Sequence, residues 1–404
     1  MKTRHWTTWT AATVFAALLF GSAPATADFD QAVALMKQKK WVESAEQWEN
    51  VLTNAPEYDW GHYAIGVCYF MLDKHRDAEL RFKTAIELNP SDVNYHMNLA
   101  KTQLKLQKFN DVVVTLDKSE TLVDDVNRTG FHRTRGLALS RVKDYDRAID
   151  DLRKANPVAD QYVALELGRS CFAIGDTPCV AKAIGQSLAK KAKDPVALEI
   201  LAKAQLEAAR RAGSGGAKSS AYGKAADAAR KLVAAKPNDV DGHELLGASL
   251  LGSDDLDGAV AEYRKVLSLQ PKNCTAMLNI SQAKAKQKRF DEILDFSTQA
   301  AKCDPKNHLA FTQIAFAHNG KRDWDAAEEA AKKAISLKET AFAKQQLQLA
   351  QDGRSAEETN RQSDEEEAAY QAELQQAEAA ERERLRRIKE YETKTGAEVE
   401  DDGK

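Results

Sequence analysis

A small residue recurs nine times along this chain at a nearly constant spacing, and this regularity constrains the fold more than any other feature. The steps between successive positions are 34, 34, 36, 32, 34, 45, 34 and 34 residues. A second set of small or β-branched residues follows twelve residues after each of them, except in the stretched unit. The first set is Ala32, Gly66, Ala100, Gly136, Gly168, Ala202, Gly247, Ser281 and Ala315. A period near 34 in two registers predicts an array of helix-turn-helix repeats.

The segment from Asp59 to Asp92 shows the pattern of one unit most clearly. Apolar residues four apart mark one stripe on each of two predicted helices: Ile65, Tyr69, Phe82 and Ile86. Gly66 and Ala78 are small, which lets the two helices of the hairpin approach each other. Asn89-Pro90 ends the unit, because proline cannot continue a helix and disfavours helical backbone in the residue before it.

These units resemble the tetratricopeptide repeat (TPR), a 34-residue pattern with small residues at its eighth and twentieth positions and a closing proline. The resemblance spans roughly residues 28–341. It implies an all-α fold, a right-handed α-solenoid of about nine repeats. Two local departures stand out: Arg135 lies where other units have Ile or Leu, and the sixth unit has an insertion near 210–221. The Gly and Ser content of that insertion predicts a flexible surface turn.

The two ends of the chain depart from the repeat pattern. Residues 1–27 have a basic start, an apolar core from Ala11 to Phe20 and a small-residue site at Ala25-Thr26-Ala27, which predicts a signal peptide and an exported, periplasmic or secreted protein. No later segment is apolar enough to span a membrane. Residues 342–353 predict a capping helix that ends at Gly353. Residues 354–404 predict a charged tail, partly helical or disordered, ending in the acidic stretch Glu398 to Asp402.

The chain has five cysteines, and the compartments that receive exported proteins permit disulfides between them. Cys171 and Cys179 fall on the two helices of one predicted hairpin, near its turn. Cys274 and Cys303 fall at the open end of another. Antiparallel helices bring both pairs close, so we hypothesise two disulfides within repeats, with Cys68 buried and free. The alternative is five reduced cysteines in the core.

Composition and motifs argue against catalysis, cofactors and nucleic acid. The net charge of −3 is not typical of a nucleic-acid-binding protein. The loop from Gly213 to Ser219 lacks the glycine that a phosphate-binding loop has directly before its lysine. The eight histidines form no metal-binding spacing. We therefore predict a non-enzymatic protein without a metal or cofactor.

The TPR resemblance implies a binding groove lined by positions 2, 5, 6, 9, 12 and 13 of each first helix. In that register the groove begins aromatic and becomes basic through the third to fifth repeats. The predicted groove residues are Trp60, Tyr63, Phe70, Met97, Asn98, Lys101, Lys105, Arg133, Arg141 and Arg169. Aromatic anchors and basic groups suit an extended or helical partner segment that is apolar and acidic. The alternative is that Trp60 and Tyr63 pack against the first repeat and the basic residues form a solvated face.

One known TPR subfamily grips C-terminal carboxylates with a clamp of Lys, Asn and Arg residues. Asn98 occupies one clamp position, but its companions Tyr63, Val67, Gly130 and Thr134 do not match. The sequence therefore predicts no such clamp.

Three functional hypotheses fit this pattern. The leading one is a protein–protein interaction scaffold of the cell envelope that binds a partner segment in the groove. A second is an accessory or regulatory subunit of an envelope enzyme or secretion complex. A third is a glycan-binding protein that uses Trp60, Tyr63 and Phe70 as stacking rings.

Overall fold

The computed structural model describes residues 26–396. Residues 1–25 of the predicted signal peptide and the predicted acidic stretch from Glu398 to Asp402 lie outside the described residues. The described range is all-α, with nineteen α-helices, one short 3-10 helix (Glu120–Leu122) and no strand. The chain divides into two compact units, the first up to Pro237 and the second from Asn238 onward. The predicted all-α class is confirmed.

The N-terminal unit contains six helical hairpins. Within each hairpin the two helices pack together, and the second helices of the first five hairpins each contact the first helix of the next hairpin in this unit. The helices are α1 (Thr26–Lys37), α2 (Trp41–Asn54), α3 (Asp59–Met71), α4 (His75–Leu88), α5 (Val93–Lys105), α6 (Phe109–Ser119), α7 (Asp125–Arg141), α8 (Tyr145–Lys154), α9 (Gln161–Ala173), α10 (Thr177–Lys190), α11 (Pro195–Arg211) and α12 (Gly216–Ala235).

The C-terminal unit contains three further hairpins followed by one long helix. Its helices are α13 (Val240–Ser253), α14 (Leu256–Leu269), α15 (Cys274–Lys286), α16 (Phe290–Cys303), α17 (His308–Lys321), α18 (Trp324–Leu337) and α19 (Ala341–Thr395). The hairpins pack on their sequence neighbours, and α19 packs on α17 and α18. Within each unit the chain is therefore a solenoid, in which a repeat contacts its neighbours. None of the helices in residues 26–396 is both long and apolar enough to cross a membrane.

The recurring glycines of the first helices lie against large side chains of the second helices. A Cβ added to Gly66 would lie 2.7 Å from the ring of Phe82, and one on Gly168 would lie 2.4 Å from Ile184. Gly136 and Gly247 face Leu152 and Tyr263 in the same way, each sixteen residues further along the chain. Because the interior is close-packed, no room remains for a methyl group at these positions.

Eight of the nine hairpins share a turn residue with left-handed backbone, placed seven residues after the small residue. These residues have positive φ: Lys39, Asp73, Gln107, Lys143, Gly175, Asp254, Lys288 and Arg322. The sixth hairpin is the exception, because its turn lies elsewhere. Left-handed backbone normally favours glycine. Because seven of the eight residues are not glycine, the geometry of the turn imposes this conformation on them.

The insertion of the sixth repeat forms helix rather than a flexible loop. α11 has 17 residues and α12 has 20, and the turn between them spans only residues 212–215. The predicted flexible turn over 210–221 is therefore wrong for most of its length. The insertion has lengthened both helices, which are rich in alanine, the best helix former.

The last helix continues through the position where the sequence predicts its end. α19 runs unbroken for 55 residues from Ala341 to Thr395, so the predicted end of the capping helix at Gly353 is wrong. A Cβ on Gly353 would lie 2.6 Å from the ring of Trp324. Gly353 is thus needed for close packing of α19 on α18, not for ending a helix.

Candidate functional site

The predicted groove residues belong to four first helices of the N-terminal unit, α3, α5, α7 and α9, whose exposed side we call the first-helix face. Each of these helices contacts the next one in the series. Aspartate caps help to fix where two of them begin: Asp92 accepts the backbone N–H of Asn94 at 2.8 Å, and Asp160 accepts that of Tyr162 at 2.8 Å. Such caps satisfy backbone donors at a helix start and so hold the register of the side chains that follow.

The aromatic end of the predicted groove is largely core. The ring centroid of Trp60 lies 4.8 Å from that of Trp48 and 6.0 Å from that of Phe29, both in the first repeat. Tyr63 is buried and stacks on Tyr95 with centroids 4.8 Å apart. This is the arrangement of the alternative interpretation, in which Trp60 and Tyr63 pack inward.

Little of the predicted apolar surface therefore stays accessible. Met97 is buried as well. Phe70 remains half-buried, and its neighbour Met71 is 49% exposed. These two residues at the end of α3, with the half-buried Trp60 at its start, form the partly accessible apolar part of the predicted surface.

Asn98 ties α3 to α5. Its Nδ2 donates to the hydroxyl oxygen of Tyr63 at 2.8 Å, and its Oδ1 accepts from Nζ of Lys101 at 3.4 Å. Burial raises the pKa of the Tyr63 hydroxyl, which stays neutral. Both ends of the Asn98 amide group are thus hydrogen-bonded to neighbouring side chains of the same surface.

Lys101 is the least compensated basic group of the surface. It is half-buried, and desolvation lowers the pKa of its ammonium group. Within residues 26–396 its polar partner is the neutral amide of Asn98, and no carboxylate lies in ion-pair contact with it. Lys105, one turn later on α5, is exposed and also has no ion pair within that range. A partly desolvated ammonium without a counter-ion is a favourable place for an anionic ligand group.

The arginines of the fourth and fifth repeats are already paired. Arg133 contacts Asp160 at 3.2 Å. Arg141 and Arg169 both contact the buried Glu166, at 2.5 and 3.2 Å. Ser140 also donates to Glu166, at 2.7 Å. The positive charges predicted for these repeats are thus paired with carboxylates of the same protein.

Glu166 is the residue that sequence analysis missed. It occupies the sixth position of the fifth first helix, which is one of the predicted groove positions. A count of acids as well as bases in those six positions would have found it.

Arg135 replaces the expected apolar residue with a buried ion network. It donates to Asp151 at 2.7 Å, to Glu120 at 2.9 Å and to Asp117 at 3.1 Å. His132 shares Asp151, at 2.8 Å. Burial alone would lower the pKa of Arg135, but the hydrogen bonds to Asp151 and Glu120 outweigh it and raise that pKa. The network joins α7 to α6, α8 and the 3-10 helix, so we assign it to the structure rather than to binding.

The four cysteines of the hypothesised pairs meet as the hairpin geometry suggests. Cys171 is joined to Cys179 and Cys274 to Cys303, with Cα atoms 5.7 and 5.6 Å apart. Cys68 is buried without a sulfur partner, and desolvation raises the pKa of its thiol to about 11. Oxidation of both pairs in the native protein stays a prediction. The part of the chain that the structure describes contains no cluster of three or more His, Cys, Asp or Glu side chains suited to a metal ion.

Comparison with known proteins adds similar folds but no close relative. No protein-family model matches the chain, and none of the curated proteins gives a significant match. Among solved structures, the chain is similar to the C-terminal part of a TPR repeat-containing protein from Cytophaga hutchinsonii, with 19% identity and a TM-score of 0.47 over 62% of this chain and 99% of that one.

Two further structures are similar over somewhat less than half of this chain. YrrB, described as a TPR protein with an unusual peptide-binding site, is 16% identical with a TM-score of 0.41, over 48% of this chain and 95% of its own. MamA from Desulfovibrio magneticus is 17% identical with a TM-score of 0.40, over 44% of this chain and 94% of its own. Paired helices, the 34-residue period and packing of successive hairpins within each unit give the chain an all-α architecture of TPR-like helix-turn-helix repeats.

Proposed function

We propose that this protein is a non-enzymatic interaction scaffold that binds a segment of another protein on the first-helix face of its N-terminal unit. The observation that carries the proposal is the environment of Lys101, a half-buried ammonium group whose polar partner within residues 26–396 is the neutral amide of Asn98. Lys105 adds a second positive charge one helical turn away. Phe70 and Met71 supply apolar contact on the neighbouring helix.

The proposed partner segment is acidic and apolar, and it binds nearer the second and third repeats than the whole predicted groove implies. Arg141 and Arg169 would have to give up Glu166 before they could bind a partner carboxylate. Breaking such a partly buried pair leaves Glu166 uncompensated and costs free energy. Lys101 and Lys105 carry no such cost, so they are the favoured anion contacts.

The same geometry speaks against a glycan site built from stacking rings. Of the three rings that sequence analysis offered, Trp60 packs against Trp48 and Phe29, and Tyr63 is buried on Tyr95. Stacking on a sugar needs an accessible ring face, and Trp60 and Phe70 are both only half-buried rings with part of their surface exposed, while Tyr63 is excluded by its burial.

The proposal places the protein and its partner outside the cytoplasm, in the cell envelope or beyond it. It rests on the N-terminal sequence pattern and on two cysteine pairs positioned for disulfides. Disulfides form and persist in oxidising compartments.

A charge-reversal experiment tests the binding proposal. The purified protein is immobilised and used to recover partners from an extract of the source organism, which are then identified by mass spectrometry. The test variant is Lys101→Glu with Lys105→Glu. The matched control is Lys118→Glu with Lys182→Glu, which reverses two exposed lysines on second helices.

We expect the parent and the control to bind the same partner, and the test variant to bind it about tenfold or more weakly, because repulsion replaces attraction at the contact. Undiminished binding by the test variant would contradict the proposed site. Failure of the parent to bind any protein would contradict the scaffold itself.

A further inference from the structure

The Cys274–Cys303 pair lies at the open end of the eighth hairpin, near the protein surface. Cys274 is the first residue of α15, and Cys303 is the last residue of α16. Their sulfur atoms lie 3.7 and 3.4 Å from the carbonyl oxygen of Lys272, in the turn before α15. Cys303 is exposed, whereas Cys274 is half-buried. A thiol from solution therefore reaches the sulfur of Cys303 more readily than that of Cys274.

The two sulfur atoms of this pair also differ as leaving groups. In thiol–disulfide exchange a thiolate attacks one sulfur, and the other sulfur departs as a thiolate. The partial positive charge at the start of α15 stabilises a thiolate at Cys274, and the partial negative charge at the end of α16 destabilises one at Cys303. Attack on Cys303 is thus favoured both by access and by the group that it releases.

The Cys171–Cys179 pair combines access and leaving group in the opposite way. Cys171 is fully buried in α9, in an apolar cluster with Leu167 and Ile184. Cys179, the third residue of α10, is half-buried, and its sulfur accepts from Arg153 at 3.5 Å. A thiol can therefore approach only Cys179, and its attack would release Cys171 as a thiolate among apolar side chains. Desolvation makes that release unfavourable.

The fifth cysteine does not compete in this chemistry. Cys68 is buried, and its thiol has a pKa raised to about 11 by desolvation, so it supplies little thiolate near neutral pH. The five cysteines, all within residues 26–396, thus comprise one accessible pair, one shielded pair and one shielded thiol.

We propose that Cys303 is a site of reversible S-thiolation by small thiols. The thiolate of the small thiol forms a bond to Sγ of Cys303, the bond between Cys303 and Cys274 breaks, and Cys274 leaves with the electron pair. In the reverse step the thiolate of Cys274 attacks Sγ of Cys303 and expels the small thiol. The proposal rests on the predicted oxidation of both pairs and is independent of the first-helix face.

A time course with reduced glutathione tests the proposal on the native, folded protein. Excess glutathione is added at neutral pH, and acid stops the exchange at successive times. Free thiols are then labelled with N-ethylmaleimide at acidic pH, and peptide mass spectrometry without reduction locates adducts and labels. The Cys171–Cys179 pair is the matched control within the same molecule. A second time course in denaturant removes the burial of Cys171 while keeping the local sequence.

The expected early product carries glutathione on Cys303 and the label on Cys274. It should form about tenfold or more faster than any product at Cys171 or Cys179, because both access and leaving group favour it. In denaturant the two pairs should open at similar rates.

Four results would overturn the proposal. The first is an early adduct on Cys274 instead of Cys303. The second is opening of the Cys171–Cys179 pair as fast as the other pair, or no reaction at either pair. The third is a rate difference that persists undiminished in denaturant, because the fold then does not cause it. The last is label on Cys274 and Cys303 before glutathione is added, because no disulfide is then present to exchange.

Discussion

At the scale of single residues, two positions of each repeat determine the hairpin, and only one of them is visible in the sequence. The small residue at the eighth position recurs as Gly, Ala or Ser and predicts close helix packing. The left-handed turn residue seven positions later does not, because Lys, Asp, Gln and Arg occupy it as well as Gly175. The geometry of the turn imposes that conformation, and the conformational preferences of those side chains do not predict it.

Close packing at Gly66 predicts a large effect of a single methyl group. We expect Gly66→Ala to lower the free energy of unfolding by about 1–3 kcal/mol, because the new Cβ overlaps Phe82. Gly185→Ala is the control: it lies in α10 with open space around it and should raise stability by about 0.5–1 kcal/mol. Denaturant unfolding of both variants measures the difference. Equal effects would mean that the glycine register has no packing role.

The turn at Lys288 predicts a favourable substitution. Lys288 has φ of 54°, so Lys288→Gly should leave stability unchanged or raise it by up to about 1 kcal/mol through relief of backbone strain. Lys265→Gly, in the interior of α14, should instead lower it by about 1 kcal/mol. Thermal and denaturant unfolding of the two variants provide the comparison. A loss of stability at Lys288 as large as that at Lys265 would refute the strained turn.

At the scale of elements, the fourth repeat contains an ion network that the repeat pattern does not predict. Arg135 breaks the repeat pattern, and that much is visible in the sequence. Its partners Asp117, Glu120 and Asp151 lie 15 to 18 residues away on three other elements. Their convergence depends on how α6, α7 and α8 cross, which no spacing rule contains. The pairing of Arg141 with Glu166 has the same origin, because its two groups stand on adjacent first helices.

The Arg135 network predicts strong coupling between two mutations. Arg135→Leu should destabilise the protein by about 3 kcal/mol or more, because it leaves the carboxylate of the buried Asp151 without its strongest partner. Asp151→Ala should also be costly. The double variant should lose clearly less than the sum of the two, since neither charge is then stranded. Additive losses in a double-mutant cycle would show that the two groups do not act together.

At the scale of the whole molecule, the repeat period alone predicts the fold class and nearly all hairpins. Sequence analysis predicts too short a last helix, because the five large apolar residues in its last forty or so positions do not follow a heptad spacing. Helicity there comes instead from charge pairs four residues apart. The proposed binding surface is harder to predict than the fold, because the partial burial of Trp60 and the full burial of Tyr63 and Met97 depend on packing between neighbouring hairpins.

The state of the cysteines tests the proposed location of the whole chain. The native protein, denatured without reductant and with its thiols labelled, should react with one equivalent of reagent per chain, at Cys68. After reduction it should react with five. The reason is that both hairpin pairs are positioned for disulfides and an exporting route would oxidise them. Five reactive thiols before reduction would contradict the exported location and both disulfides.

Site-directed photo-crosslinking tests the binding surface most directly. A photo-reactive amino acid replaces Met71, which is 49% exposed on α3 beside the proposed site, or Leu80, which is 65% exposed on the second helix α4 of the same repeat. The two variants are irradiated with the partner bound. A crosslink to the partner from position 71 and none from position 80 is the predicted result. A crosslink from position 80 alone would place binding on the second helices and contradict the first-helix face as the functional site.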